Sequence, residues 1–199
     1  MKLTFKHAVA AIILVLAFGA PVAAGPLEDA TAASDRGDHA TAVPLFRALA
    51  IQGNVQAQSA LGYRYFHSIG VPQDYAEAAK WYHRPAIQGH LLAQYNLGVM
   101  YARGWGVHRD YHEAAKWYRL AADNGSSAAQ YDLGKLYEEG HGVPQDYALA
   151  YKWFNLAAAQ NNQDAEKYRD SIAQRMTPAQ IAEAQKLARE WKPTRQPPE

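Results

Sequence analysis

The sequence AQYNLGVMYARGWGVHRDYHEAAKWYRLAADNG, residues 93–125, decides the fold because its pattern recurs on either side at an interval of 36 residues. Each copy holds, in the same register, a Leu-Gly pair, a tyrosine, a Gly-Val pair, an Asp-Tyr pair and a Lys-Trp pair. The Leu-Gly pairs are Leu61-Gly62, Leu97-Gly98 and Leu133-Gly134, and the Lys-Trp pairs are Lys80-Trp81, Lys116-Trp117 and Lys152-Trp153. A fixed period of this length predicts a tandem array of structural repeats.

Each repeat predicts two α-helices joined by a turn. Ala93, Leu97 and Tyr101 are spaced four residues apart, which places them on one face of a first helix. A glycine-containing turn at residues 104–109 follows, and the apolar residues of 114–121 then recur at helical spacing. The chain is therefore predicted to be all-α.

Polar residues and glycines mark where the second helices begin and end. Asp110 is predicted to cap the second helix of the middle unit, with Glu113 completing a capping-box pattern. Gly89 and Gly125 stand where a helix ends in the left-handed conformation, and Asn161 takes that place in the last unit.

Helix-interior glycines predict that the helices approach one another closely. Gly98 costs about 1 kcal/mol relative to alanine in a helix interior, so we expect the large rings of Trp117 and Tyr118 to lie opposite the small residues Gly98 and Ala93. One helix pair cannot bury its own faces, so the units must stack. Pro85 lies inside a second helix and predicts a kink or early break there, and the same expectation applies to Pro44.

The whole unit resembles the Sel1-like repeat, a relative of the tetratricopeptide repeat with a longer turn between its helices. The resemblance implies a right-handed α–α superhelix, a solenoid of about three full 36-residue repeats with a partial N-terminal unit and a C-terminal capping helix pair. It also implies a general role in binding other proteins as an adaptor, and it brings no catalytic residues. The array is expected to occupy residues 25–192, followed by a Pro-rich, disordered tail at 193–199.

The first 24 residues predict a secretory signal peptide. Lys2 and Lys6 precede eleven mostly apolar residues at 8–18, and small residues follow up to a cleavage site after Ala24. The alternative is a retained membrane anchor, but a bilayer requires about 20 apolar residues. We therefore expect an exported protein, periplasmic in the first instance and otherwise secreted, with no membrane span after cleavage.

Composition excludes several classes of function. Without residues 1–24 the chain carries 18 basic and 19 acidic residues, which argues against a nucleic-acid partner because such binding requires an excess of clustered cations. The chain has no cysteine, so thiol catalysis and cysteine-based metal sites are excluded. His108, His112 and Glu113 come near a zinc motif, but Lys116 occupies the place of its second histidine. We expect no metal and no cofactor.

Two alternatives to a binding scaffold remain open. Some cysteine-rich exported Sel1-like proteins have been associated with binding or hydrolysis of β-lactams, so this chain could be a β-lactam-binding or cell-wall-processing enzyme. It lacks their cysteines and any Ser-x-x-Lys pairing that would activate a serine nucleophile, so we expect no catalytic residues. The second alternative is a structural spacer within a complex of the cell envelope.

A partner is expected on the concave groove lined by the first helices. There, positions opposite the core face vary between units while the core positions do not. We interpret this face as a site for a protein or peptide, with aromatic anchors and a charged rim, although some of its tyrosines could instead pack between units. Its residues are Ser59, Tyr63, Phe66, His67, Leu92, Tyr95, Val99, Arg103, Tyr131, Lys135, Glu138 and Glu139, with Ala102 on the same arc.

Overall fold

The computed structural model of the protein describes residues 25–194, and this part of the chain forms ten α-helices and no strand. The predicted signal peptide at 1–24 and residues 195–199 of the predicted tail lie outside the described residues. The helices are α1 (Pro26–Asp35), α2 (His39–Ile51), α3 (Val55–His67), α4 (Tyr75–Ile87), α5 (Leu91–Arg103), α6 (Tyr111–Asp123), α7 (Ser127–Glu139), α8 (Tyr147–Ala158), α9 (Gln163–Ala173) and α10 (Pro178–Glu190).

The helices form a solenoid, as the 36-residue period predicts. The pairs α3–α4, α5–α6 and α7–α8 are the three full units, α1–α2 is the partial unit before them, and successive helices from α1 to α9 pack on one another. First helices of adjacent units also touch, α3 with α5 and α7 with α9. The closing helix α10 packs against α8, so it covers the last full unit. None of the helices between residues 25 and 194 has the length and apolar character needed to cross a membrane.

Aspartates begin the second helix of each unit, as the sequence predicts. The Asp110 carboxylate accepts bonds from the backbone N–H groups of His112 and Glu113, at 2.8 and 3.1 Å. The capping box predicted there is incomplete, because the Glu113 carboxylate pairs with Lys116 at 3.1 Å, one turn further on. A complete capping box begins α10, where Thr177 and the residue three positions later bond reciprocally.

The helix-interior glycines allow close helix contacts, which confirms their predicted role. A Cβ atom added to Gly62 would lie 2.7 Å from the Tyr82 ring, and one added to Gly134 would lie 2.7 Å from the Phe154 ring. At Gly98 the added atom would overlap the Tyr118 ring. A side chain at these positions would therefore push the first and second helices of a unit apart.

Buried glutamines join the units, a feature that the sequence analysis did not identify. They recur at the same 36-residue interval, and each amide group donates to a carbonyl near the end of the preceding second helix. The bonds run from Gln58 to Ala50 at 3.0 Å, from Gln94 to Ala86 at 3.1 Å and from Gln130 to Ala122 at 3.2 Å. A buried polar group requires such a partner, so each bond fixes how a unit sits on its neighbour.

The early break predicted at Pro85 does not occur. Helix α4 runs unbroken from Tyr75 to Ile87 and has the same 13 residues as α6, which carries Ala121 at the equivalent position. Pro85 removes only the one hydrogen bond that its nitrogen would donate to Trp81, and its ring is buried in the core. The break predicted at Pro44 does not occur either, because α2 continues through this residue.

Candidate functional site

The predicted partner-binding residues lie on α3, α5 and α7, the first helices of the three full units. Three of them, Arg103, Lys135 and Glu139, line one cleft of about 230 Å³ between α5 and α7. We refer to this feature as the Ala102 cleft, and the rest of its lining consists of Ala102, Tyr111, Tyr118, Asp132, Leu136 and His141.

The Ala102 cleft lies where a smaller residue replaces a large one. Phe66 occupies the position equivalent to Ala102 in the unit before, 36 residues earlier. The Phe66 ring lies against the rings of Tyr75 and Trp105, with centroids 5.2 and 5.6 Å apart. An aromatic side chain of the protein itself therefore fills the corresponding space at that junction.

The corresponding space at the third junction is also filled. Glu138 stands at the position of Ala102 there, and its carboxylate lies 3.6 Å from Arg175 in the segment between α9 and α10. The Arg175 guanidinium lies over the ring of Tyr147, 4.4 Å from its centroid. Of the three junctions of α3 with α5, α5 with α7 and α7 with α9, only the middle one has a residue too small to occupy this space.

Asp132 brings a half-buried carboxyl group to the Ala102 cleft. Burial raises its pKa, although the hydroxyl of Tyr95 donates a hydrogen bond to it and Lys135 and Arg103 contribute positive charge nearby. Burial, together with the charge of Asp132, raises the pKa of the Tyr95 hydroxyl to about 12, so that hydroxyl stays protonated and remains a donor. The cleft therefore contains a hydrogen-bond acceptor whose ionised form is poorly solvated.

Two aromatic rings form one wall of the Ala102 cleft. Tyr111 and His141 are stacked, with centroids 4.8 Å apart and planes inclined by 19°. The Arg109 guanidinium lies 5.7 Å from the centroid of the Tyr111 ring. On the other side, Nδ1 of His141 lies 2.9 Å from the Glu139 carboxylate. This pairing orients the imidazole ring.

Two tyrosines of the predicted face, Tyr95 and Tyr131, are partly used for packing inside the array. The Tyr95 ring lies 5.9 Å from that of Tyr118, and the Tyr131 ring lies 5.9 Å from Phe154 and 5.4 Å from Tyr168. Both tyrosines are half-buried. Their removal would therefore disturb the fold as well as the surface, so they are poor choices for a binding test.

A separate aromatic cluster covers the junction between α3 and the turn after α5. It contains Tyr63, Phe66, His67, Tyr75 and Trp105, whose neighbouring rings lie between 4.2 and 5.6 Å apart. Trp105, which lies in the turn after α5, is 37 % exposed, and Tyr63 is 39 % exposed.

Other predicted site residues are not brought to the Ala102 cleft. Ser59 is only 3 % exposed, so its burial removes it from any partner-binding surface. Leu92 is exposed but lies at the opposite end of α5, about 16 Å along the helix axis from Arg103. Val99 is half-buried and packs against the core formed by α6 to α10. His112 is not part of the predicted face, and its Nδ1 atom lies 3.3 Å from the carbonyl oxygen of Gly142.

Sequence reasoning did not identify Asp132, Tyr111 and His141 as cleft residues. Position 132 carried a usable signal, because its equivalents are Ala60 and Asn96 and it varies between units as the predicted face does. Tyr111 carried no such signal, because a tyrosine recurs at this position in every full unit and such constancy indicates a structural role.

Comparison with known proteins agrees with this architecture. Residues 55–90, 91–126 and 127–162 each match the model of the Sel1 repeat. The chain is similar to the solved structure of c5321, a protective antigen present in uropathogenic Escherichia coli strains displaying an SLR fold, with 35 % identity and a TM-score of 0.70. It is also similar to a Sel1 repeat protein from Oxalobacter formigenes, with 31 % identity and a TM-score of 0.68.

These similarities cover most of this chain but less of the other two. They span 75 % of this chain and 32 % of the antigen, and 72 % of this chain and 59 % of the Oxalobacter protein. No curated protein matches the sequence.

Proposed function

The chain belongs to the Sel1 repeat family, and from this we propose that it is a non-catalytic scaffold of the bacterial cell envelope that binds a protein or peptide partner. Sel1 repeat proteins are generally protein-interaction scaffolds. The proposed binding surface is the face of α3, α5 and α7 that contains the Ala102 cleft. The apolar, lysine-preceded start of the sequence supports export to the envelope.

The observation that carries the proposal is the difference between constant and variable positions in the array. Leu61, Leu97 and Leu133 are equivalent, identical and at most 1 % exposed. In contrast, the equivalent positions 67, 103 and 139 hold histidine, arginine and glutamate, all of them exposed. Packing requires the first set to be uniform, whereas the second set is free to match the chemistry of a partner.

A capture experiment with a matched charge reversal tests this proposal. Arg103→Glu changes the rim of the Ala102 cleft, and Arg84→Glu makes the same change on α4, a second helix, where Arg84 is also exposed. The purified protein and both variants would be immobilised and exposed to envelope extract of the source bacterium. We expect a partner that the parent and the Arg84 variant retain and that the Arg103 variant binds at least about tenfold more weakly, since rim charges steer association.

Two outcomes would contradict the proposal. A partner that the Arg103 variant retains fully would instead indicate a spacer that contacts its complex elsewhere. If neither the parent nor the variants retain any protein, although all three show the same helical circular dichroism, the scaffold proposal fails.

A further inference from the structure

The Ala102 cleft exists because one side chain is missing from an otherwise repeated arrangement. Phe66 and Glu138 occupy the equivalent positions in the neighbouring units, and each fills its own junction. Alanine at this position leaves an open volume of about 230 Å³, which is large enough for one side chain of any size. The protein therefore presents a place for a side chain that it does not supply itself.

The first junction shows what kind of side chain this space accepts. There the Phe66 ring makes edge contacts with Tyr75 and Trp105. The equivalents of those two residues at the second junction are Tyr111 and His141, which are also aromatic and stacked on each other. An aromatic ring that enters the Ala102 cleft would meet the same kind of wall, and such ring pairs prefer edge-to-face or offset contacts.

Asp132 adds a polar requirement that the first junction lacks. Its equivalent in the middle unit is Asn96, whose amide donates to the hydroxyl of Tyr82 at 2.9 Å. In the Ala102 cleft the corresponding group is a carboxylate, which only accepts hydrogen bonds, and Tyr95 supplies one donor. A second donor from an incoming side chain would further satisfy a half-buried charge. A phenol hydroxyl combines this donor with an aromatic ring.

The charges around the cleft argue against a strongly charged occupant. Arg103 and Lys135 bring positive charge to its lining, and Asp132 and Glu139 bring negative charge. A cation would meet the first pair and an anion the second, and like charges in contact are unfavourable. A rim with both signs instead complements the carbonyl and N–H groups of an uncharged polypeptide main chain.

We propose that the Ala102 cleft receives a single aromatic side chain, with tyrosine preferred, from an extended segment of the partner polypeptide. This inference rests on the proposed function, since it names the anchor by which that partner would be held. The proposed occupant is a neutral aromatic residue. Tighter binding of a cationic or an acidic residue would contradict the proposal.

Capped tripeptides, acetyl-Ala-X-Ala-amide, are the probes for this inference. The residue X would be Tyr, Phe, Leu, Arg or Glu, and binding to the purified protein would be followed by the amide NMR shifts of Tyr111 and His141. We expect the tyrosine peptide to bind about fivefold or more tightly than the leucine peptide, and the phenylalanine peptide to lie between them. The inference is overturned if the arginine or glutamate peptide binds most tightly.

Substitutions at Ala102 provide the matched control, because the chain itself shows which residues this position accepts. Ala102→Phe copies the first unit and Ala102→Glu copies the third, so at least one of the two is expected to fold, while Ala102→Ser leaves the cleft open. We expect both filling variants to lose the shifts caused by the tyrosine peptide and the serine variant to keep them. If a folded filling variant binds the tyrosine peptide as the parent does, the cleft is not its site.

The two proposals fail in different ways. If no tripeptide changes the shifts of Tyr111 and His141 but a captured partner still depends on Arg103, the aromatic-anchor inference is wrong and the scaffold proposal stands. If the tyrosine peptide binds but no protein is captured, the cleft binds aromatic side chains and the scaffold proposal is the part that fails.

Discussion

At the scale of single residues, the carboxyl group of Asp132 combines burial with charge. Its pKa is raised above the ordinary value of 3.8, mainly by burial, despite the hydrogen bond from Tyr95 and the positive charges nearby. The folded protein therefore holds this proton at pH values where the unfolded chain has already released it. Stability consequently falls as the pH rises above 3.8 through the raised pKa, and at neutral pH the ionised carboxylate is destabilising.

Asp132→Asn is expected to raise the free energy of unfolding at neutral pH and to flatten its dependence on pH above 3.8. The amide copies Asn96 of the preceding unit, which the fold accommodates with a hydrogen bond to Tyr82. The measurement is urea unfolding at a series of pH values. Asp164→Asn is the control, since its side chain is 67 % exposed and its removal should change stability little. A variant less stable than the parent at neutral pH would show that the contacts of the carboxylate outweigh its burial.

At the scale of one element, α4 shows how packing maintains a helix against a local defect. Pro85 cannot donate to the carbonyl of Trp81, and a proline inside a helix costs about 3 kcal/mol. The helix nevertheless reaches Ile87, because Tyr82 and Ala86 beside the proline are fully buried. Tertiary contacts, rather than the intrinsic propensity of the residues, determine where this helix ends.

Replacing Pro85 with alanine, the residue at the equivalent positions 121 and 157, is expected to stabilise the protein by about 1 kcal/mol. The restored hydrogen bond contributes more than this, but the loss of the buried ring leaves a small cavity that offsets part of the gain. Denaturant unfolding measures the difference. Pro44→Ala is the comparison, because Pro44 is exposed and leaves no cavity, so we expect it to give the larger gain. Destabilisation by Pro85→Ala would mean that ring packing outweighs the backbone bond.

At the scale of the whole molecule, the array needs its ends to be covered. Each unit buries its faces only against neighbours, so terminal units have lower stability unless they are capped. Helix α10 covers α8, and the ring of Trp191 lies 6.5 Å from that of Trp153 in an edge-to-face contact. After α10, the backbone N–H of Thr194 donates to the Asp123 carbonyl at 2.8 Å, which joins the end of the described chain to α6.

Trp191→Ala is expected to loosen the C-terminal end of the array before the rest unfolds. Loss of this half-buried ring should cost about 2 kcal/mol, less than for a fully buried tryptophan. Hydrogen exchange should show faster exchange in α9 and α10 and little change in α3 and α4. Trp105→Ala, in the turn after α5, serves as the control and should leave α10 unchanged. Equal loss of protection throughout the molecule would mean that the array unfolds as one cooperative unit.

The sequence by itself determined the architecture, because a repeat imposes the same local rules three times. The 36-residue period, the helix-capping aspartates and the glycines opposite aromatic rings together predicted an all-α solenoid, and the structure confirms it. These features depend on residues close together in sequence or on contacts that every unit repeats. Variation between units also marked the equivalent positions 67, 103 and 139 of the first helices, and these three are exposed.

Only the tertiary structure decided which part of that face forms a cleft. The space beside Ala102 depends on side chains from α5, α6 and α7 together with the turn after α7. Ser59 lies on the predicted face yet is buried, and Asp132 was not predicted yet reaches the cleft. Helical periodicity gives the direction of a side chain on its own helix, whereas exposure and cavities depend on how neighbouring helices fill the space around it. That filling is set by packing between units, which no single segment of the sequence specifies.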